Sequence, residues 1–137
     1  MLDLVEWVNR ISTPEQQAVM AADVDAAQQS RTLPALVVVP GRETVVTAPL
    51  SAGAGSRHRI VAEVLVVTAV PRGNQPLGAK MVDELKALRE PTLQQLINWL
   101  PTGSDIEVTW QGGQLMALKS NALYWVDAFK TDYWWSL

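Results

Sequence analysis

Apolar positions at the start of the chain recur at helical spacing. Leu4, Val5, Trp7, Val8 and Ile11 fall three and four apart, with Asp3, Glu6 and Arg10 between them. That pattern predicts an amphipathic helix, and Asp3 and Glu6 occupy its first turn, where the dipole favours negative charge. Thr13, Pro14 and Gln16 then read as N-cap, first helical position and the end of a capping box. A second short helix is expected over residues 14–22. Residues 23–32 are polar and poor in large apolar side chains, which reads as a frayed helical end or a loop.

The pattern then changes to that of strands. Residues 33–41 (LPALVVVPG) are an apolar run punctuated at both ends, and the unbroken valines suggest burial on both faces. Residues 44–47 make a short second strand, which Pro49 places at an edge or ends. SAGAGS at 51–56 has linker composition. IVAEVLVVTAV at 60–70 is the longest β-like run, with Glu63 its only charge. After a turn over 71–76, Leu77, Met81, Leu85 and Leu88 mark a helix over 77–90 that Pro91 should stop. Thr92 and Gln95 form another capping box, and Leu93, Leu96, Ile97 and Leu100 line a further short helix ending before Pro101. The last third is β: a strand over 106–110, a hairpin turn at Gln111-Gly112-Gly113-Gln114, a return over 115–118, and a long strand over 123–135. One face of that last strand presents Trp125, Asp127, Phe129, Thr131, Tyr133 and Trp135. The order α-α-β-β-β-α-α-β-β-β predicts one α+β domain over 1–137, a mainly antiparallel sheet with helices on one face.

Composition narrows the chemistry more than it suggests any. With 137 residues and 48% hydrophobic content, one well-packed domain is expected. There is no cysteine, so disulfides, thiolate metal sites and thiol catalysis are excluded. The lack fits a reducing compartment. No apolar run reaches the ~20 residues of a membrane span, and Asp3 and Glu6 stand where a secretory leader would be basic. A cytoplasmic product without a membrane partner is expected. The net charge of −3 lacks the basic footprint of a nucleic-acid wrapper.

No catalytic set emerges, and the expectation is a non-enzyme. His58 is the only histidine, Ser56 lies too near it to form a triad, and no nucleophile elbow occurs. The SAGAGS segment precedes a strand rather than a helix and lacks Gly-Lys-Ser/Thr, so it is a poor phosphate cradle. Carboxylate pairs such as Glu84 with Glu90, or Asp23 with Asp25, have no apolar frame to shift their pKa. No metal or cofactor is expected. Asp127, flanked by Trp125 and Phe129, reads either as an edge-strand gatekeeper or as the partner of a basic group on a neighbour. Arg57, His58 and Arg59 are the one basic cluster, read as a loop turned to solvent, to an acidic partner or to a DNA backbone.

Six tryptophans stand against one Phe and two Tyr. Trp7 is expected in the core, Trp99 over the sheet, and Trp110 exposed. Trp134 and Trp135 point to opposite faces and suggest docking of the terminal strand. Trp110, Trp125, Phe129, Tyr133, Trp134 and Trp135 are therefore candidates for a subunit or partner interface, since interfaces favour large aromatics.

The chain as a whole resembles the tail terminator proteins of long-tailed bacteriophages. Residues 33–39 resemble that family's Pro-led strand, residues 60–70 its central strand, and Leu96-Ile97-Asn98-Trp99-Leu100-Pro101 the end of its helix. Gly113, Gln114 and Leu115, with Trp125 and Phe129, resemble its closing hairpin. A glycine often precedes the Trp in the family; here Asn98 does. Residues 41–59 match nothing in it. The resemblance implies a structural virion protein at the head-proximal end of the tail, assembled in the host cytoplasm. It implies a homo-oligomeric ring, usually a hexamer, which caps the completed tube, stops polymerisation and receives the head–tail connector. The partners implied are the chain itself, the tube protein, the connector and, through non-specific contact, passing DNA along a lumen that Arg57 and Arg59 would line. A connector or neck protein, a tube-like subunit, a small ligand-binding domain with a pocket near Trp110 and Trp125, and a regulatory interaction module are the alternatives.

Overall fold

A computed structural model describes residues 1–29, 32–46, 57–72 and 78–136. The elements run α1 (Leu4–Ile11), β1 (Val19–Met20), α2 (Val24–Ala27), β2 (Ala35–Val45), β3 (Arg57–Pro71), α3 (Ala79–Leu96), β4 (Thr109–Leu118) and β5 (Ala122–Ser136). The strands form one sheet in the order β1-β2-β3-β5-β4. Only β1 and β2 are parallel; the other pairs are antiparallel. The α+β class is as the sequence implied.

Sheet register sorts the side chains into two faces. Leu36, Val38, Val64, Val66 and Phe129 share a core with Trp7 and Ile11 of α1 and Leu96 of α3. The two longer helices therefore cover one face, called here the helical face. The opposite face carries Ala35, Val37, Val39, Val67, Ala69 and Tyr124, closed at one end by Ala27 of the single-turn α2. Residues 35–39 are buried on both sides, which accounts for the unbroken valine run. Asp3 caps α1, its carboxylate accepting from the Val5 N–H at 3.0 Å.

Four local expectations need correction. Residues 14–22 are not a helix. Thr13 and Gln16 instead exchange main-chain hydrogen bonds across a tight turn. The chain then runs as β1 along β2, where the Ala21 N–H reaches the Val38 carbonyl at 3.1 Å. The bare edge of β2 needs partners more than a short helix needs its cap. The expected strand over 33–41 and the start of that over 44–47 are one strand, Ala35–Val45, bent by a bulge between Pro40 and Glu43; residue 47 lies outside the described residues.

Pro91 does not stop its helix but lies inside α3. Met81, Leu85, Thr92 and Leu96 are buried, and with half-buried Leu88 they form one stripe that crosses the proline. Burial on both sides outweighs the ~3 kcal/mol a helical proline costs. Thr92 is consequently no cap; its hydroxyl donates to the Leu88 carbonyl at 3.3 Å. Beyond the helix, Asn98 has φ of +66°, a left-handed conformation open to Gly and Asn. Asn98 is thus a physical substitute for the family's glycine before the Trp.

The Gly112-Gly113 pair makes no hairpin turn. β4 runs straight through it, with bulges between Trp110 and Gly112 and between Leu115 and Ala117. The chain reverses later, at residues 119–121, where the Lys119 N–H meets the Ala122 carbonyl at 2.9 Å. Gly112 supplies the positive φ of +104° at the first bulge. Gly113 serves a different need, set by the side chains packed over it.

Candidate functional site

Those side chains centre on Asp127. β5 lies between β3 and β4, so Asp127 is interior to the sheet, 2% exposed, and cannot guard an edge. It pairs with a basic group on a neighbouring element. Arg89 of α3 grips it with two hydrogen bonds, Nε to Oδ2 at 2.8 Å and Nη2 to Oδ1 at 2.9 Å. The Trp110 indole N–H adds a third at 3.0 Å. The guanidinium lies over two rings, 4.9 Å from Trp125 and 5.3 Å from Trp110. A planar fork between aromatic faces is an arrangement only arginine can make. The hydrogen bonds it donates to Asp127 hold the pKa of the Arg89 guanidinium above its ordinary value, against the opposing effect of burial. A Cβ on Gly113 would overlap the Asp127 carboxylate and lie 2.6 Å from the Trp125 indole nitrogen. The absence of a side chain there makes room for the cluster.

The aromatic candidates separate on this geometry. Phe129 is wholly buried in the main core, so it is packing and not interface. Tyr133 is also buried, its hydroxyl 3.0 Å from both carboxylate oxygens of Glu43. Burial first, and then the bond to Glu43, push the Tyr133 phenol up to about 12. Trp125 is half-buried beneath Arg89 and packs on the cluster of Val70, Met81 and Leu123. Trp110, Trp134 and Trp135 retain exposed surface. Trp7 is buried and meets half-buried Trp99 edge-on at 5.3 Å. The space between Trp110 and Trp125 holds the Arg89 guanidinium, not a ligand pocket. An open groove of about 520 Å³ lies on the opposite face, over Glu63, Leu65, Gly113, Met116, Val126 and Ala128.

The basic cluster begins β3 and is not a loop. SAGAGS at 51–56 lies outside the described residues. Arg59 is ion-paired with Asp132, its Nε 2.6 Å from Oδ2. Arg57 shares that face, is exposed, and stacks on Trp134 at 4.5 Å. His58 points to the helical face beside Trp135, with ring centroids 6.0 Å apart. Of the three, Arg57 alone presents an exposed cation without an ion pair among the described residues. Sequence reasoning missed Arg89, which lies four residues after Leu85 and seven before Leu96, along the buried stripe of its helix; a lone Asp amid aromatics was the signal that a cation had to arrive. Among the described residues, no group of His, Asp and Glu is placed to hold a metal ion, and no helix is long and apolar enough to cross a membrane.

The family model for phage tail terminator proteins matches residues 1–136 of this chain. The chain belongs to that family. No curated protein matches it significantly. As a tail terminator family member, it is a structural component of the phage tail, made to contact other tail and head components. The family is structural and is not a class of enzyme. The terminator's buried cluster is accordingly a fastening. It ties α3 to β5 and β4 and fixes how Trp110 sits at the sheet edge.

Proposed function

We propose that the chain closes into a ring, six-fold by the family resemblance, which caps the completed tail tube. The ring ends polymerisation and offers its other face to the head connector. The family match across almost the whole chain carries this reading. Physical logic supports it. A growing tube end presents the surface to which the next subunit adds; a cap must fit that surface while offering no fresh copy of it. Such a role needs rigid, fitted surfaces and no bond-making. Exposed Trp135 and Trp110, with half-buried Trp134, are the aromatic surface available for subunit or tube contacts. Arg57 on Trp134 is an exposed cation available to DNA passing through the ring.

Electron microscopy of particles made without this gene tests the proposal. Tails grown far beyond normal length and detached from heads are the expected result. Tails of normal length beside filled, unattached heads would instead make the chain a connector. Normal infectious particles would refute a role in the virion.

A further inference from the structure

The sheet has two outer edges, β1 and β4, and neither is defended by charge or proline. Natural edge strands carry charges or prolines that discourage pairing. Residues 16–22 around β1 contain no charge and no proline, and neither do residues 108–118 around β4. Their apolar side chains are exposed: Val19 and Met20 on β1, Trp110, Leu115 and Leu118 on β4. The Ala21 N–H bonds inward to β2, so strand alternation turns the main-chain groups of Met20 outward.

The edges match in direction and level. β1 runs parallel to β2, and each later step across the sheet reverses direction. β4 therefore runs opposite to β1. A second copy continuing the sheet would set its β1 antiparallel to the first copy's β4. The two bulges leave β4 one regular window, Gly112, Gly113, Gln114 and Leu115. Following the ladder, Val19 stands level with Val37, Val67, Val126 and Gln114. Met20 stands level with Val38, Val66, Asp127 and Gly113. The short β1 rim thus lies at the level of the short regular window on the far edge.

We infer that β1 of one copy pairs antiparallel with the Gly112–Leu115 window of β4 in the next copy, so that one sheet continues across subunits. This rests on the ring proposed above. Unlike edges give a head-to-tail contact, the kind that closes into a ring when the rotation fits. The bulges flanking the window deny pairing to longer strands, which limits indiscriminate association. The Arg89–Asp127 cluster lies directly beneath the window and holds its shape.

The chain has no cysteine, so engineered disulfides report the contact directly. Directly opposed antiparallel residues have Cα atoms about 4.5–5.5 Å apart, within disulfide reach. Val19→Cys and Gln114→Cys are made as separate, differently tagged variants. They are mixed, incorporated into tails and oxidised. Met20→Cys with Leu115→Cys reads a slip of two residues. Disulfide dimers joining the two tags, with none from either variant alone, are expected. Dimers from Gln114→Cys or Leu115→Cys alone would show like edges pairing and would overturn the inference. So would tails that contain both tags yet yield no mixed dimer for either pair. Tail length in the same particles reads the capping role separately: normal tails without cross-links sink edge pairing alone, and overlong tails with cross-links sink capping alone.

Discussion

Arg89→Met removes one half of a buried ion pair and leaves the other in place. The Asp127 side chain is 3% exposed and would keep only the Trp110 N–H as a polar partner among those seen here. Breaking a buried pair from one side costs about 3–5 kcal/mol. An unfolding entropy of about 2.1 cal/mol/K per residue makes each kcal/mol worth roughly 3.5 °C in a chain of this length. The midpoint should fall by roughly 10–17 °C. Asp127→Leu alone should cost less, because Arg89 is partly exposed and its guanidinium can turn to water. The double variant should recover most of the loss, since apolar replacement of a whole buried pair is often near neutral. A double-mutant cycle in urea, with thermal melts followed by circular dichroism, measures the coupling. Arg89→Lys should fall between wild type and Arg89→Met, keeping the charge without the two-pronged grip. A loss below about 1 kcal/mol for Arg89→Met, or strict additivity in the cycle, would refute the claim that this pair fastens α3 to the sheet.

Three further outcomes follow from single positions. Gly113→Ala should destabilise by about 1–3 kcal/mol in urea titrations, because the new methyl meets Asp127 and Trp125; a neutral effect would count against the close approach. Asn98→Gly should be nearly neutral in thermal melts, whereas Asn98→Val should lose about 1–2 kcal/mol by forcing a β-branched side chain to positive φ. The Tyr133 phenol is raised from 10.0 to about 12 by the fold, so the unfolded chain gives up that proton first. Its contribution is complete below about pH 10 and fades as pH rises from there through about 12. Urea midpoints on either side of that window should show the decline, and Tyr133→Phe should lack it.

Much of the architecture was legible because burial writes itself into residue spacing. The long β-like apolar run at residues 60–70 and the aromatic-rich run at 123–135 marked the two longest strands, and the 3.6-residue period marked α1 and the first half of α3. The errors share a cause: a local signal was read without the tertiary contact that overrode it. Thr13-Pro14 carried a good cap, but the open edge of β2 took the following residues. Pro91 carried a stop signal, but the stripe from Met81 to Leu96 had a core to bury against. Gly112-Gly113 carried a turn signal, but a bulge and a crowded carboxylate claimed the glycines. The bulges also set Trp110, Leu115 and Leu118 on one face of β4, which strict alternation would have divided. The site was half legible. Asp127 announced itself by its aromatic neighbours, while the pairing with Arg89, a cation set within the buried stripe of α3, joins elements 38 residues apart and could not be read from either alone.

The place of β5 governs when this protein can exist. It follows every other strand in the chain, yet it is threaded between β3 and β4, pairing with β3 along the whole of both. β4 cannot be joined to the rest of the sheet before β5 arrives, and β3 until then is paired on one side only. Pairings across such sequence separation form slowly, because loop closure precedes any reward. During synthesis, β4 has no template and α3 lacks much of the surface it packs on. A product cut short before β5 thus leaves β4 without a partner strand and β3 with an open edge. Copies that complete the sheet have therefore passed through this one late pairing step.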